Sequence, residues 1–384
     1  MEGRSGGPDD TAVRRTRIGG RRARRRTARL RAQAAAGVSE QAAASYAGYR
    51  AYDATDGGFA ALALAEEETP AQILLRGLVD DAGLCPPATS RRPDEGQRAR
   101  GPGADRRADA ATHAPQDGSA ESPDFRPLPV VQAVERHRSD SIVAHPMLSH
   151  RLLCPEARWG ELLTRLDGHG PVDVGLILDT DRGIAGEVPE RDPRVRITHY
   201  ETRARPEDLR LVAALFRTGD IGAAGRVVYF EPFREPGWLD AVDVLSGARP
   251  LGVKIRCGGP RPELVPDARE LGVLITACVE RDVPFVAAGG PPQAAGRTDP
   301  ATGAPQYGYL NLLLATASVV DGDHGSVPGL LSATDARHLA RLARGLHPAT
   351  ALRTREVLMG YAARSTGDPV REAAALGLLG GWQV

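Results

Sequence analysis

Short apolar runs rich in β-branched residues alternate with helical segments from about residue 128 to the end of this 384-residue chain. Seven runs have the length of buried strands: 150–155, 172–179, 194–200, 226–233, 251–257, 283–288 and 356–361. The helical segments between them include 157–166, 207–217, 237–246, 267–281, 308–320 and 334–345. This alternation is typical of a parallel α/β fold, and its length predicts a (β/α)8-type barrel.

The strand count leaves two points of the fold open. The eighth strand either lies at 140–148 or is absent, and in the second case the predicted barrel is incomplete. A doubly wound sheet is the alternative fold, but the chain lacks the G-x-G-x-x-G turn that such sheets use to bind dinucleotides. Asp267 and Thr334 are expected to begin helices, because their side chains can cap the first turn.

The part of the chain before residue 128 differs in composition. Residues 1–68 are rich in Arg, Gly and Ala, which predicts a disordered region with at most a short helix. Residues 69–87 are predicted to form an amphipathic helix that packs on the barrel. Residues 88–127 contain no Leu, Ile, Val or Met and predict a disordered linker, because such a segment cannot bury a core. The predicted barrel domain therefore spans 128–384.

Charge and cysteine content exclude several classes of protein. Asp plus Glu and Lys plus Arg both number 49, so the net charge is zero and a globally basic nucleic-acid binder is disfavoured. Weak nucleic-acid binding through the Arg-rich tract 14–31 stays open, as does the interpretation that 1–36 are not translated. The four cysteines have no zinc spacing, and no apolar run reaches the length of a membrane span. We expect a cytoplasmic protein without metal or cofactor, which binds a small molecule and can form a homo-oligomer.

Candidate site residues lie where the predicted strands end, because parallel barrels carry their working residues there. These residues are Asp179, Glu231, Lys254 and Arg256. Lys254 is the only lysine, although the chain has 49 basic residues. Side chains alternate along a strand, so Lys254 and Arg256 should point together into the barrel mouth, near Glu231.

This arrangement has two interpretations. In the first, Glu231 pairs with Lys254 or Arg256 and only braces the barrel, since buried charges are nearly always paired. In the second, burial and the neighbouring Arg256 lower the pKa of Lys254 and make it a nucleophilic amine, with Glu231 and Asp179 as proton carriers. The pairs Gly258-Gly259 and Gly289-Gly290 would then offer backbone N–H groups to a phosphate or another anion.

The segments GVKIRCGG and VPFVAAGG resemble paired strands of class I aldolases of the deoxyribose-phosphate aldolase type. In that family a K-T-S-T-G strand carries the Schiff-base lysine, and a V-K-A-A-G-G strand carries a second lysine. Lys254 matches the first lysine, and 287–290 match A-A-G-G. Val286 stands where the second lysine would be. The resemblance implies a lyase that acts on a small carbonyl or phosphorylated metabolite.

A longer resemblance covers LLRGLVDDAGLCPPA, VKIRCGG and YGYLNLL, which are similar to segments of an uncharacterised family of bacterial barrel-like proteins. This chain keeps the family's Asn311, which we assign to substrate binding with Arg256 and the four glycines. Polar positions of the family are replaced here by Val286, Pro291, Pro292 and Tyr307. These replacements favour the alternative function, a non-catalytic barrel that has decayed or been reused for ligand or partner binding.

Overall fold

The computed structural model describes residues 68–85, 127–166, 170–179, 192–218, 227–300 and 302–382. The predictions for the N-terminal region up to residue 67 and for most of the linker lie outside these residues. The described residues belong to one compact unit of the chain, 58–384.

Eight parallel strands close into a barrel in the described part of the chain. They are β1 (Val79–Asp81), β2 (Leu148–Pro155), β3 (Val172–Leu178), β4 (Val195–Ala204), β5 (Val227–Pro232), β6 (Leu251–Arg256), β7 (Phe285–Ala288) and β10 (Leu358–Ala363). Each strand pairs with the next along the chain, and β10 pairs with both β7 and β1. A two-stranded hairpin, β8 (Arg297–Thr298) and β9 (Pro305–Gln306), follows β7. The predicted (β/α)8-type architecture is therefore confirmed, and the barrel is closed.

Helices connect the strands and cover the barrel. They are α1 (Pro70–Leu75), α2 (Val130–Val143), α3 (Trp159–Arg165), α4 (Pro206–Thr218), α5 (Ala241–Leu245), α6 (Ala268–Glu280), α7 (Tyr309–Val320), α8 (Val327–Ser332), α9 (Ala336–Arg344), α10 (Pro348–Val357) and α11 (Gly367–Ala375). Asp267 caps α6 as expected, in a reciprocal pair with Glu270. The cap of α9 is Asp335 rather than Thr334, because the Asp335 carboxylate accepts from two backbone N–H groups of the first turn.

The eighth strand lies in an unexpected part of the chain. Residues 140–143 belong to α2, so the strand expected at 140–148 is not there. Instead, the helix predicted over 69–87 ends at Leu75, the chain turns at Gly77, where φ is +57°, and β1 follows. β1 fills the gap between β10 and β2. The barrel therefore takes one strand from residues that precede 128, where we expected only a packed helix.

Charge pairing explains how a strand as short and acidic as β1 is buried. Asp80 and Asp81 are each only 3 % exposed. The Asp80 carboxylate accepts hydrogen bonds from Arg151 Nε at 2.8 Å and from Ser149 Oγ at 2.5 Å. Asp81 pairs with Arg136 of α2. Tertiary partners therefore place these residues in a strand, although neither carboxylate fits a local strand pattern.

Apolar side chains fill the space between the strands and the helices in one large cluster. A much smaller apolar cluster packs separately from it, with Ala82, Leu153, Ala288 and Ala362 as its buried members. None of the helices in the described ranges is long and apolar enough to cross a membrane. The carboxyl ends of all eight strands meet at one end of the barrel, and the candidate residues of β5 and β6 lie there.

Candidate functional site

Lys254 pairs with a carboxylate that the sequence analysis did not identify. Its ammonium Nζ lies 2.5 Å from Oε2 of Glu201 on β4 and 3.9 Å from Oε2 of Glu231 on β5. Lys254 is 7 % exposed and Glu201 is 2 % exposed, so the pair is almost closed off from solvent. Val253 and Ile255 belong to the main apolar cluster, as the alternation along β6 predicted.

Glu201 was missed because the fourth strand was predicted to end at residue 200, whereas β4 continues to Ala204. The alternation of residues between the two faces of the strand continues beyond residue 200, and following it would have identified Glu201. Extending the strand places Glu201 and Arg203 on the same face as His199. His199 lies next to the pair, with its Nε2 atom 3.5 Å from Glu201 Oε1 and its ring in an edge contact with Tyr229.

The charge state of Lys254 differs from the expectation. We expected burial and Arg256 to lower the pKa of Lys254. Burial does favour the neutral amine, but attraction to Glu201 and then to Glu231 outweighs it, and the pKa of Lys254 is raised. Burial opposes ionisation of Glu201 as well, yet Lys254 holds the pKa of Glu201 below its usual value. The two residues therefore form an ionised pair at neutral pH.

Glu231 is the partner of Arg256. Arg256 donates to both carboxylate oxygens of Glu231, from Nε at 2.8 Å and from Nη2 at 3.1 Å. Despite burial, which alone would raise it, the pKa of Glu231 is lowered by Arg256 and then by Lys254. Arg203 of β4 also approaches this carboxylate, with Nε 3.6 Å from Glu231 Oε1. The ion pair between Glu231 and a cation of β6, on which the first interpretation depends, is thus present in the structure.

Arg203, Glu231, Lys254 and Arg256 border a small cleft that is partly open to solvent, at the carboxyl ends of β4, β5 and β6. It is lined by Arg203, Glu231, Pro232, Arg234, Trp238, Lys254, Ile255, Arg256, Leu264 and Pro266. Four of these residues carry a positive charge, and one carries a negative charge. Small-molecule sites typically combine apolar walls with a few convergent polar groups, and this cleft has that composition.

The predicted glycine pairs follow β6 and β7, and none of the four glycines lines the cleft. A Cβ atom on Gly258 would be 2.7 Å from the carbonyl oxygen of Gly289, so the loops after β6 and β7 touch through backbone. Within the described ranges, none of the N–H groups of Gly258, Gly259, Gly289 and Gly290 donates a hydrogen bond. Arg256 Nη1 reaches the same loop, 3.8 Å from the position that a Cβ on Gly289 would take.

Two of the predicted site residues do not join this group. Asp179 is exposed at the end of β3, where its carboxylate accepts a hydrogen bond from the N–H of Ala157 at 3.2 Å. Partial desolvation by the neighbouring protein raises the pKa of the Asp179 carboxyl, but in the described part of the chain no contact links Asp179 to Lys254. Asp179 is therefore separated from Lys254, because β3 lies three strands away from β6.

Asn311 is fully buried, and backbone groups use all of its hydrogen-bonding capacity. Its Oδ1 accepts from the N–H groups of Gly296 at 2.6 Å and Gly308 at 3.2 Å. Its Nδ2 donates to the carbonyls of Leu330 at 2.7 Å and Ala333 at 2.8 Å. The structure therefore leaves Asn311 no free polar group for the substrate contact expected of it, and the amide joins the loop after β7 to the end of α8.

Three of the four replaced positions make contacts within the protein. Val286 is the register partner of Lys254 on the adjacent strand and is 4 % exposed. The Tyr307 hydroxyl donates to the Pro266 carbonyl at 2.9 Å. The Pro291 carbonyl accepts a hydrogen bond of 2.5 Å from the Tyr361 hydroxyl. A second lysine beside Lys254 is therefore absent, and a valine packs in its place.

No group of three or more His, Cys, Asp or Glu side chains that could hold a metal ion occurs among the described residues. Comparison of the chain with protein-family models, with curated proteins and with solved structures gave no significant match in any of the three.

Proposed function

We propose that the protein is a lyase of the aldolase type, which binds a small carbonyl compound in the cleft and forms a Schiff base with Lys254. The observation that carries the proposal is the placement of the chain's only lysine beside Glu201 and Glu231 at the cleft. Schiff-base chemistry needs an amine, a base that takes its proton and an acid that protonates the leaving hydroxyl. Both carboxylates lie within 4 Å of the Lys254 amine here.

The raised pKa of Lys254 defines the first step of the proposed reaction, because the resting residue is an ammonium. Glu201 takes one proton from Nζ, and the neutral amine adds to the substrate carbonyl carbon. The resulting hydroxyl leaves as water after protonation by Glu231, which acquires that proton from the bound substrate or solvent. The iminium ion then draws electrons from the bond between the α and β carbons, which breaks as Glu231, again a carboxylate, takes the proton of the β-hydroxyl. The aldehyde leaves, Glu201 protonates the remaining enamine at carbon, and water hydrolyses the iminium to release the second product and Lys254, while Glu231 returns its proton to solvent.

Borohydride trapping tests this proposal directly. The protein is incubated with small aldehydes, 2-oxo acids and their phosphorylated counterparts, reduced with borohydride and mapped by mass spectrometry. We expect a reduced adduct on Lys254, and the amino terminus is the only other primary amine of the chain. The Lys254→Arg variant keeps a positive charge beside Glu201 but has no amine, so it should give no adduct at residue 254. Absence of an adduct on Lys254 across the whole panel would contradict the proposal.

A second candidate function is supported by the ionised state of Lys254. An ammonium held between two carboxylates braces the barrel without any chemistry, and Val286 replaces the second lysine of the aldolase pattern. In that case the protein is a non-catalytic barrel that binds a small anion at the glycine loops and Arg256. The protein would then bind small anions but give no adduct on borohydride reduction. The Lys254→Arg variant would bind these anions as tightly as the wild type does.

A further inference from the structure

The cleft carries one positive charge that has no carboxylate of its own. Lys254 pairs with Glu201, and Arg256 pairs with Glu231. Arg234 donates twice to Glu270 at 2.6 Å. Arg203 is the remaining cation of the cleft lining. The carboxylate closest to it is Glu231, which Arg256 already binds through both oxygens.

Arg203 is held in place without being neutralised. Its guanidinium stacks on the Phe233 ring, 4.1 Å from the centroid, and the side chain is 27 % exposed. Its Nε atom is buried and has no hydrogen-bond partner. Burial, which Arg256 and Arg261 reinforce, lowers the pKa of Arg203, although Glu231 opposes this effect. A buried donor without an acceptor costs free energy that a bound anion would recover.

We propose that Arg203 binds the carboxylate of a small monocarboxylic substrate, with Arg256 bordering the same subsite. One excess positive charge is balanced by a monoanion, whereas a phosphate monoester dianion would leave the cleft with a net negative charge. The planar guanidinium also matches a carboxylate in shape. This inference rests on the proposed function in one respect: it makes the substrate of the proposed lyase a 2-oxo acid rather than a sugar phosphate.

Binding of sodium propionate tests the subsite without Schiff-base chemistry, because propionate has no carbonyl carbon that condenses with Lys254. The dissociation constants of propionate and inorganic phosphate are measured by calorimetry or NMR titration on the full chain. We expect propionate to bind more tightly than phosphate. Arg203→Gln should weaken propionate binding about tenfold or more, since a charge-assisted hydrogen bond contributes about 1.5–3 kcal/mol.

The matched control is Arg196→Gln on the same strand, because Arg196 pairs with Asp173 near the other end of β4. It should leave propionate binding unchanged. Arg203→Lys keeps the charge but loses the planar fork, so its affinity should fall between those of the wild type and Arg203→Gln. Thermal unfolding of each variant shows whether the barrel is retained, and Arg203→Lys serves if Arg203→Gln does not fold.

The outcomes separate this inference from the proposed function. Propionate binding that depends on Arg203, without an adduct on Lys254, supports the carboxylate subsite and contradicts the lyase. An adduct with pyruvate whose yield is the same in Arg203→Gln supports the lyase and overturns the subsite. Tighter binding of phosphate than of propionate, or no measurable binding of propionate, also overturns it.

Discussion

Lys254 combines two properties that usually exclude each other, since it is buried and it is charged. Desolvation of an ammonium costs several kcal/mol, and the pair with Glu201 offsets this only while both partners are present. Glu231 contributes less to Lys254, because it lies 3.9 Å away and its oxygens already accept from Arg256. The two carboxylates beside Lys254 therefore differ in how much they depend on it.

This difference predicts how far a second substitution restores the stability that Lys254→Met removes. Lys254→Met should lower the free energy of unfolding by ~3–5 kcal/mol, because it leaves Glu201 charged and unpaired in the interior. Glu201→Gln in the same background should recover a large part of that loss. Glu231→Gln should recover less, since it removes the partner of Arg256 at the same time. Urea denaturation of the four proteins measures these differences, and greater recovery with Glu231→Gln would show that the pairing is assigned to the wrong carboxylate.

The elements that could be predicted from the sequence are those that bury mainly apolar side chains. All seven predicted strands are present, because their β-branched runs pack between helices and other strands. The eighth strand, β1, could not be predicted, since Asp80 and Asp81 are buried by partners on β2 and α2 that only the fold brings to them. The same limit applies to the site. Lys254, Arg256 and Glu231 follow from strand alternation, whereas Glu201 depends on where β4 ends.

Hydrogen exchange measures whether β1 is an integral strand of the barrel. The Val79 N–H donates to the Met147 carbonyl at 3.1 Å, and the Ala82 N–H donates to the Ala363 carbonyl at 2.9 Å. We expect these two amides to exchange as slowly as those of central strands, because they open only when the barrel opens. The exposed His324 is the internal reference for fast exchange. Exchange of Val79 and Ala82 as early as His324 would contradict the assignment of β1.

At the scale of the whole molecule, the two ends of the connection between β1 and α2 lie next to each other. The Leu128 N–H donates to the Gly83 carbonyl at 2.8 Å, so the chain leaves and re-enters the barrel at adjacent points. Residues 86–126, which lie outside the described ranges, connect these points. Closing a loop costs about 0.6 kcal/mol for each doubling of its length, so a shorter connection between the same points carries a smaller entropic cost.

Replacement of 88–126 by a four-residue Gly-Ser linker should therefore leave the barrel folded. The free energy of unfolding should stay the same or rise by up to about 2 kcal/mol, given the loop-closure cost. Thermal and urea unfolding, compared with those of the full chain, measure this change. A fall in stability would mean that 88–126 contribute contacts to the barrel, and restoring half of the segment would then show which half provides them.

The pairing of β1 with β10 also determines when the barrel can close during synthesis. Val79 pairs with Tyr361, so β1 has one open edge until residues near 361 have left the ribosome. At about 5–20 residues per second, this interval is on the order of 15 to 60 s. An unpaired strand edge can pair with another chain. Short strands and inward-pointing charged side chains commonly disfavour such pairing. β1 has three residues, and two of them are aspartates. The two aspartates that make β1 hard to predict from the sequence also disfavour pairing of its open edge with another chain during synthesis.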